Sequence, residues 1–156
     1  MSARRIKHGI IAGLAGGMVF GMMLSVMGML PAIGKMIGLS NPVTGFMLHL
    51  IISTFLGAVF AFGLGWLVQG IRSGIVFGLL YGSYWWVLGP LTLMPVLLGR
   101  GLGVNWNLAA VLEMLPSLLG HLVYGVILGA GYGWLQNRAI ASATRQRPEV
   151  IGFEEA

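Results

Sequence analysis

The sequence predicts an all-α integral membrane protein. Four transmembrane helices form two tandem helical hairpins, a parallel repeat with glycine-zipper packing. Three observations lead there. The 156-residue chain is 57% hydrophobic and 8% charged, with a mean hydropathy of +0.89, a composition typical of membrane proteins. Four apolar stretches, residues 6–30, 43–68, 73–98 and 108–135, each reach the roughly 20 residues that cross a hydrocarbon core. Glycine recurs at Gly9, Gly13, Gly17 and Gly21, and again at Gly70, Gly74, Gly78 and Gly82. That period of four places each series on one stripe of a helix.

The first span follows Arg4, Arg5 and Lys7. A basic start before an apolar run also describes a signal peptide. This run is longer than a signal core and its pattern recurs later in the chain, so a retained helix is expected. Each glycine costs about 1 kcal/mol of helix propensity relative to alanine. Lipid offers no hydrophobic force between helices, so such stripes are expected where backbones approach closely. Met18 with Met22, and Met23 with Met27, have i, i+4 spacing. Soft thioethers suit Cu(I), and over these few residues the spacing resembles the MxxxM helix of copper transporters. The second half lacks these methionines, and flexible gap filling beside glycines is their expected use.

The second span carries its own small-residue row, Ser53, Gly57, Ala61 and Gly65, and places His49 one turn before Ser53. The third span bears the second glycine series and then Tyr81, Tyr84, Trp85 and Trp86. Their counterparts in the first span are Gly16, Val19, Phe20 and Gly21, so bulk on one helix is expected to face space on the other. A flat apolar ligand such as a quinone, carotenoid or chlorin is the sharper reading of that cluster. Pro90 and Pro95 remove backbone donors and are expected to kink or end this helix early. The fourth span is expected to hold Glu113 about two turns in, then Ser117 and His121, then Gly125, Gly129 and Gly133. Glu113 reads as an interfacial carboxylate near a helix N-terminus or, alternatively, as a proton or cation carrier.

The halves correspond along their length. Gly9, Gly13 and Gly17 match Gly74, Gly78 and Gly82, and Met29-Leu30-Pro31 matches Leu93-Met94-Pro95. Lys35 matches Arg100, and Gly38 matches Gly103. Gly63-Leu64-Gly65-Trp66-Leu67 matches Gly131-Tyr132-Gly133-Trp134-Leu135. Residues 1–136 are therefore expected to form one membrane domain, with repeats over 6–69 and 70–136. Residues 137–156 are expected to form a polar cytoplasmic tail. The pseudo-twofold axis of a parallel repeat runs along the membrane normal.

Charge sets the expected orientation. Arg4, Arg5, Lys7, Arg72, Arg138, Arg145 and Arg147 would share one side, against Lys35 and Arg100 on the other. By the positive-inside bias both termini are expected to face the cytoplasm of a bacterial-type inner membrane. Trp66 and Trp134 would mark that interface and Trp106 the opposite one. Basic residues at helix ends point to anionic lipid headgroups rather than nucleic acid.

His49 with Ser53 and Ser117 with His121 are the polar pairs within the spans. Each imidazole is expected to hydrogen-bond a serine or a carbonyl across a helix contact. The functional alternatives are ligation of a haem or metal, or proton relay. In the repeat alignment the two histidines sit four residues apart, an axial offset of roughly 6 Å that fits two axial ligands of one haem poorly. The chain has no cysteine and no aspartate, and no phosphate loop, dinucleotide fingerprint or HExxH motif. No catalytic residue is assigned and a non-enzymatic role is expected, with the cofactor left unknown. The favoured class is an accessory or assembly subunit packing against other membrane helices, lipids or an apolar cofactor, in a hetero- or homo-oligomer. The alternatives are a small transporter or channel using His49, His121 and Glu113, and a haem- or quinone-binding redox subunit.

Overall fold

The computed structural model describes residues 3–145 and is all-helical over them. Helix α1 spans Ala3–Val26, α2 Leu30–Lys35, α3 Pro42–Gly63, α4 Ile71–Leu88, α5 Met94–Leu97, α6 Leu108–Glu113 and α7 Leu115–Arg145, with a π-helical segment at Gly89–Leu93 between α4 and α5. Four helical stretches are long and apolar enough to cross a membrane: Ala3–Val26, Pro42–Gly63, Ile71–Leu97 and Leu115–Thr144. The chain is thus a multi-pass membrane protein by its candidate spans.

Local chemistry explains the boundaries. Gly28 adopts a left-handed conformation (φ +67°) just after α1, where a side chain would be strained. Asn41 begins α3 by accepting from the Thr44 amide at 2.9 Å, with Pro42 in the first turn. Asn107 begins α6 in the same way, accepting from the Ala110 amide at 3.0 Å. Both are side-chain caps for donors that a helix start leaves unpaired.

The spans pair antiparallel. Helix α1 packs on α3, α4 packs on α7, and α1 also packs on α7. Backbones meet where side chains are missing. A Cβ at Gly9 would meet the Gly57 carbonyl, and one at Gly13 would lie 2.7 Å from the Ser53 carbonyl oxygen and 2.8 Å from Gly57 Cα. Gly74 stands against the Gly129 carbonyl, Gly78 against Gly125, Gly82 against the His121 carbonyl, and Gly133 against the Gly70 carbonyl. Gly17 stands against Ser53, and Gly21 makes room for the Phe46 ring. Gly70 precedes α4, and a Cβ there would lie 3.4 Å from the Asn137 amide nitrogen.

The α1–α7 contact is made by unequal partners. The Phe20 ring fills the space over Gly120, Tyr124 lies over Gly16, and a Cβ at Gly131 would be 3.3 Å from the Ala12 methyl. Between α3 and α4 the contact is made by side chains. Tyr81 Oη donates to the Leu56 carbonyl at 2.8 Å, and the Tyr81 ring packs edge-on to Phe60 at 5.2 Å.

Three expectations are corrected. First, the aromatic cluster does not lie over the glycines of the first span. Tyr81 points at α3, Trp86 donates to the Met114 carbonyl, and Tyr84 is exposed. The glycine side of α4 has already been taken by α7. Second, the fourth span does not run unbroken from residue 108. Pro116 has no N–H to give the Leu112 carbonyl, and α6 ends at Glu113 before α7 starts at Leu115. Glu113 is therefore the exposed last residue of a short helix rather than a carboxylate inside the span. Third, helix continues through residue 137 to Arg145, so the part of the expected tail within the described residues extends α7. Residues 146–156 lie outside them. The prolines of the third span interrupt the helix as a π-helical segment, after which helix resumes in α5.

Candidate functional site

The buried polar side chains gather around Phe20. His49, Ser53 and Ser117 are all buried, at 7%, 3% and 2% exposure. Phe20 meets both imidazoles edge-on, His49 at 5.0 Å and His121 at 4.8 Å between ring centroids. Helix register does not predict this meeting, because it joins α1, α3 and α7.

Each histidine is tied to a carbonyl. His49 Nε2 lies 3.1 Å from the Gly17 carbonyl oxygen of α1 and 3.3 Å from Ser53 Oγ. A carbonyl oxygen only accepts, so this nitrogen carries the proton and donates across the α1–α3 contact. His121 Nδ1 lies 2.8 Å from the Ser117 carbonyl oxygen and 3.4 Å from Ser117 Oγ. By the same reasoning Nδ1 is the donor, and the bond stays within α7. In the neutral ring this leaves Nε2 as an acceptor, facing the π segment, where a Cβ at Gly89 would lie 3.9 Å away. Of the two, His49 ties helices together and His121 ties down its own helix.

Tyrosine hydroxyls hydrogen-bond across the contact between the α1–α3 and α4–α7 pairs. Tyr124 Oη donates to the Ser53 carbonyl at 2.7 Å, beside the His49 pair. Tyr132 Oη donates to the Gly65 carbonyl at 3.4 Å and accepts from Gln136 Nε2 at 2.8 Å. His8 Nδ1 donates to Gln136 Oε1 at 3.2 Å. A phenol buried among apolar side chains needs such a partner. Trp85 Nε1 is buried without a hydrogen-bond partner, although its ring packs against Tyr81 at 6.0 Å between centroids.

Sequence reasoning missed Phe20 as an organiser, and missed Tyr124, Tyr132 and Gln136. A signal was available for the last three. Tyr124, Tyr132 and Gln136 stand eight and four residues apart, one stripe of a helix, and that stripe is polar within an apolar span.

The remaining site candidates are dispersed. Met18 and Met22 are exposed on the outer surface of α1, whereas Met23 packs partly buried against the core. The two methionine pairs therefore do not converge on one interior site. Glu113 is separated from the histidines by the break at Met114. Among the described residues no group of three or more His, Cys, Asp or Glu side chains is placed to hold a metal ion.

At the far end, the loop after α5 closes over the π segment. Asn105 Nδ2 donates to the Pro90 carbonyl at 3.3 Å, Thr92 Oγ1 to the Val87 carbonyl at 2.8 Å, and Trp106 Nε1 to Thr92 Oγ1 at 3.2 Å. In the π register set by Met94 N on the Gly89 carbonyl, Pro95 has no N–H for the Pro90 carbonyl, and Asn105 supplies the replacement. The antiparallel pairing sends Arg4, Arg5, Lys7, Arg72 and Arg138 to the opposite, near end, where the Arg138 guanidinium lies 4.1 Å over the Trp134 ring. No protein-family model matches the chain, and no curated protein or solved structure matches it at a significant level.

Proposed function

We propose that the chain is a small, non-enzymatic accessory or assembly subunit of a bacterial-type inner membrane, with both termini cytoplasmic. It would use no nucleic acid and would work beside other membrane subunits or further copies of itself. The observation that carries this reading is the far-end surface. Val26, Leu102, Trp106 and Leu108 are exposed there, at 91%, 67%, 61% and 73%. Large apolar side chains left exposed at helix ends and in the loop between them favour contact with a partner. Meanwhile His49, Ser53, Tyr81 and Tyr124 are engaged in hydrogen bonds within the chain. That arrangement favours a packing role over a polar route through the bundle.

Residues 1–136 form one domain of two parallel-repeat hairpins, each closed by a glycine zipper. Three features support the repeat. Asn41 and Asn107 cap their helices alike. Gly38 and Gly103 share left-handed φ values of +80° and +82°. Glycine-to-backbone contacts recur in both hairpins. The glycine rows then serve the chain itself, and a partner is met on the remaining exterior.

The test is the native mass of the complex, gently solubilised from its own membranes, with its components identified. A hetero-complex is expected. Trp106→Ala combined with Leu108→Ser is expected to release the partner while leaving helicity unchanged. Recovery of the wild-type chain as a lone monomer would overturn the reading.

A further inference from the structure

We infer that the outer groove between α1 and α3 holds one acyl chain of an anionic phospholipid, with the lipid phosphate held by Lys7 at the near end of the bundle. The groove has a volume of about 520 Å³ and is walled by Ile10, Leu14, Leu50, Ile51, Phe55 and Ala58. Its one polar side chain, Thr54, spends its hydroxyl on the Leu50 carbonyl at 2.7 Å. The lining therefore offers a ligand no free side-chain donor, which suits a hydrocarbon chain.

Helix register gives the groove its direction. Gly9 and Gly13 pair with Gly57, and Gly17 with Ser53, so Ile10 and Ala58 lie near one level and Leu50 lies deeper. At 1.5 Å per residue the lining runs about 12 Å along α3, from Leu50 to Ala58, and about 6 Å along α1. Ala58 and Phe62 continue the Ile51–Phe55 face toward the near end. The small Ala58 between two exposed phenylalanines makes the hollow.

Lys7 stands three residues before Ile10 and seven before Leu14, on the same helix face, and its side chain is exposed. Arg4 lies one turn further out. Among the described residues the one acid is Glu113, at the opposite end of the bundle. A cation capping an apolar groove at the membrane surface matches a phospholipid, phosphate outward and chain inward. This needs the membrane placement of α1 and α3, not the accessory role, and the two fail separately.

The experiment is native mass spectrometry of the delipidated full chain in detergent micelles. These are doped with equal amounts of phosphatidylglycerol and phosphatidylcholine. The expected result is one retained phosphatidylglycerol per chain, preferred by about fivefold for each engaged cation. Lys7→Gln should lower that preference about fivefold without abolishing lipid retention. Ala58→Leu should fill the hollow and reduce retention of both lipids, with circular dichroism checking that the helices persist. Glycerol 3-phosphate, the headgroup without chains, should not displace the bound lipid. Equal retention of both lipids by the wild-type chain would overturn the inference. So would an unchanged preference in Lys7→Gln, unchanged retention in folded Ala58→Leu, displacement by glycerol 3-phosphate, or a second copy of the chain occupying the groove.

Discussion

Alanine at Gly13 should weaken the protein even though alanine is the better helix former. A Cβ there would lie 2.7 Å from the Ser53 carbonyl oxygen, 2.8 Å from Gly57 Cα and 3.2 Å from Gly57 N. All three atoms are helix backbone and none can rotate away. Restoring carbon–carbon contact to about 3.5 Å moves α1 from α3 by roughly 0.7 Å. A gap of that size forfeits about a quarter to a half of each dispersion contact, itself worth ~0.1–0.2 kcal/mol. Over some tens of contacts the loss is about 2–3 kcal/mol, within the usual cost of overpacking. The gain in helix propensity returns at most about 1 kcal/mol, so net destabilisation is about 1–2 kcal/mol. Gly63→Ala is the matched control. No atom lies within 4 Å of its added methyl, so only the propensity term acts and stability should rise slightly. The assay is unfolding of both variants in mixed dodecylmaltoside and SDS micelles, followed by circular dichroism. If Gly13→Ala equals or exceeds the wild type, or if the two variants shift together, the close backbone approach is not what holds α1 to α3.

Other sites test the rest of the bundle. Gly120→Ala should destabilise by about 1–3 kcal/mol, because its methyl would strike the Phe20 ring. Adding Phe20→Leu should recover part of that loss, and a double-mutant cycle in the same micelles reads the coupling. Tyr124→Phe removes the 2.7 Å bond to the Ser53 carbonyl. A loss of about 0.5–1 kcal/mol is expected in detergent unfolding, within the range for hydrogen bonds in membrane proteins. Trp86→Phe removes one of the two donors to the Met114 carbonyl at the junction of α6 and α7, leaving it only the Leu118 amide at 3.1 Å. Faster amide exchange confined to residues near 114–118 is the expected sign, and unaltered exchange there would remove the tryptophan from its capping role.

The membrane class and the approximate spans were legible in the sequence because they depend on local quantities. Transfer of apolar residues and the length of a helix need no knowledge of neighbours. The glycine positions were legible too, since a period of four marks a stripe whatever it faces. The cap and turn residues Asn41, Pro42 and Gly28 also act within a few residues, though the sequence reading passed over them. Pro116 was equally local and was overlooked, which is why the helix break beside Glu113 was not anticipated.

Which surface each stripe meets is a different matter. Tyr81 was expected over the glycines of the first span and instead donates to Leu56 of α3, because α7 occupies the glycine face of α4. Phe20 was read as one counterpart in a repeat, yet its ring contacts both His49 and His121. Such contacts depend on the shapes of three helices at once, and bulk on one can be matched by a hollow on any of the others. Composition and periodicity determined the approximate apolar spans and their small-residue faces. Only the tertiary structure decided the pairing, because close packing is settled by complementarity between segments far apart in the chain.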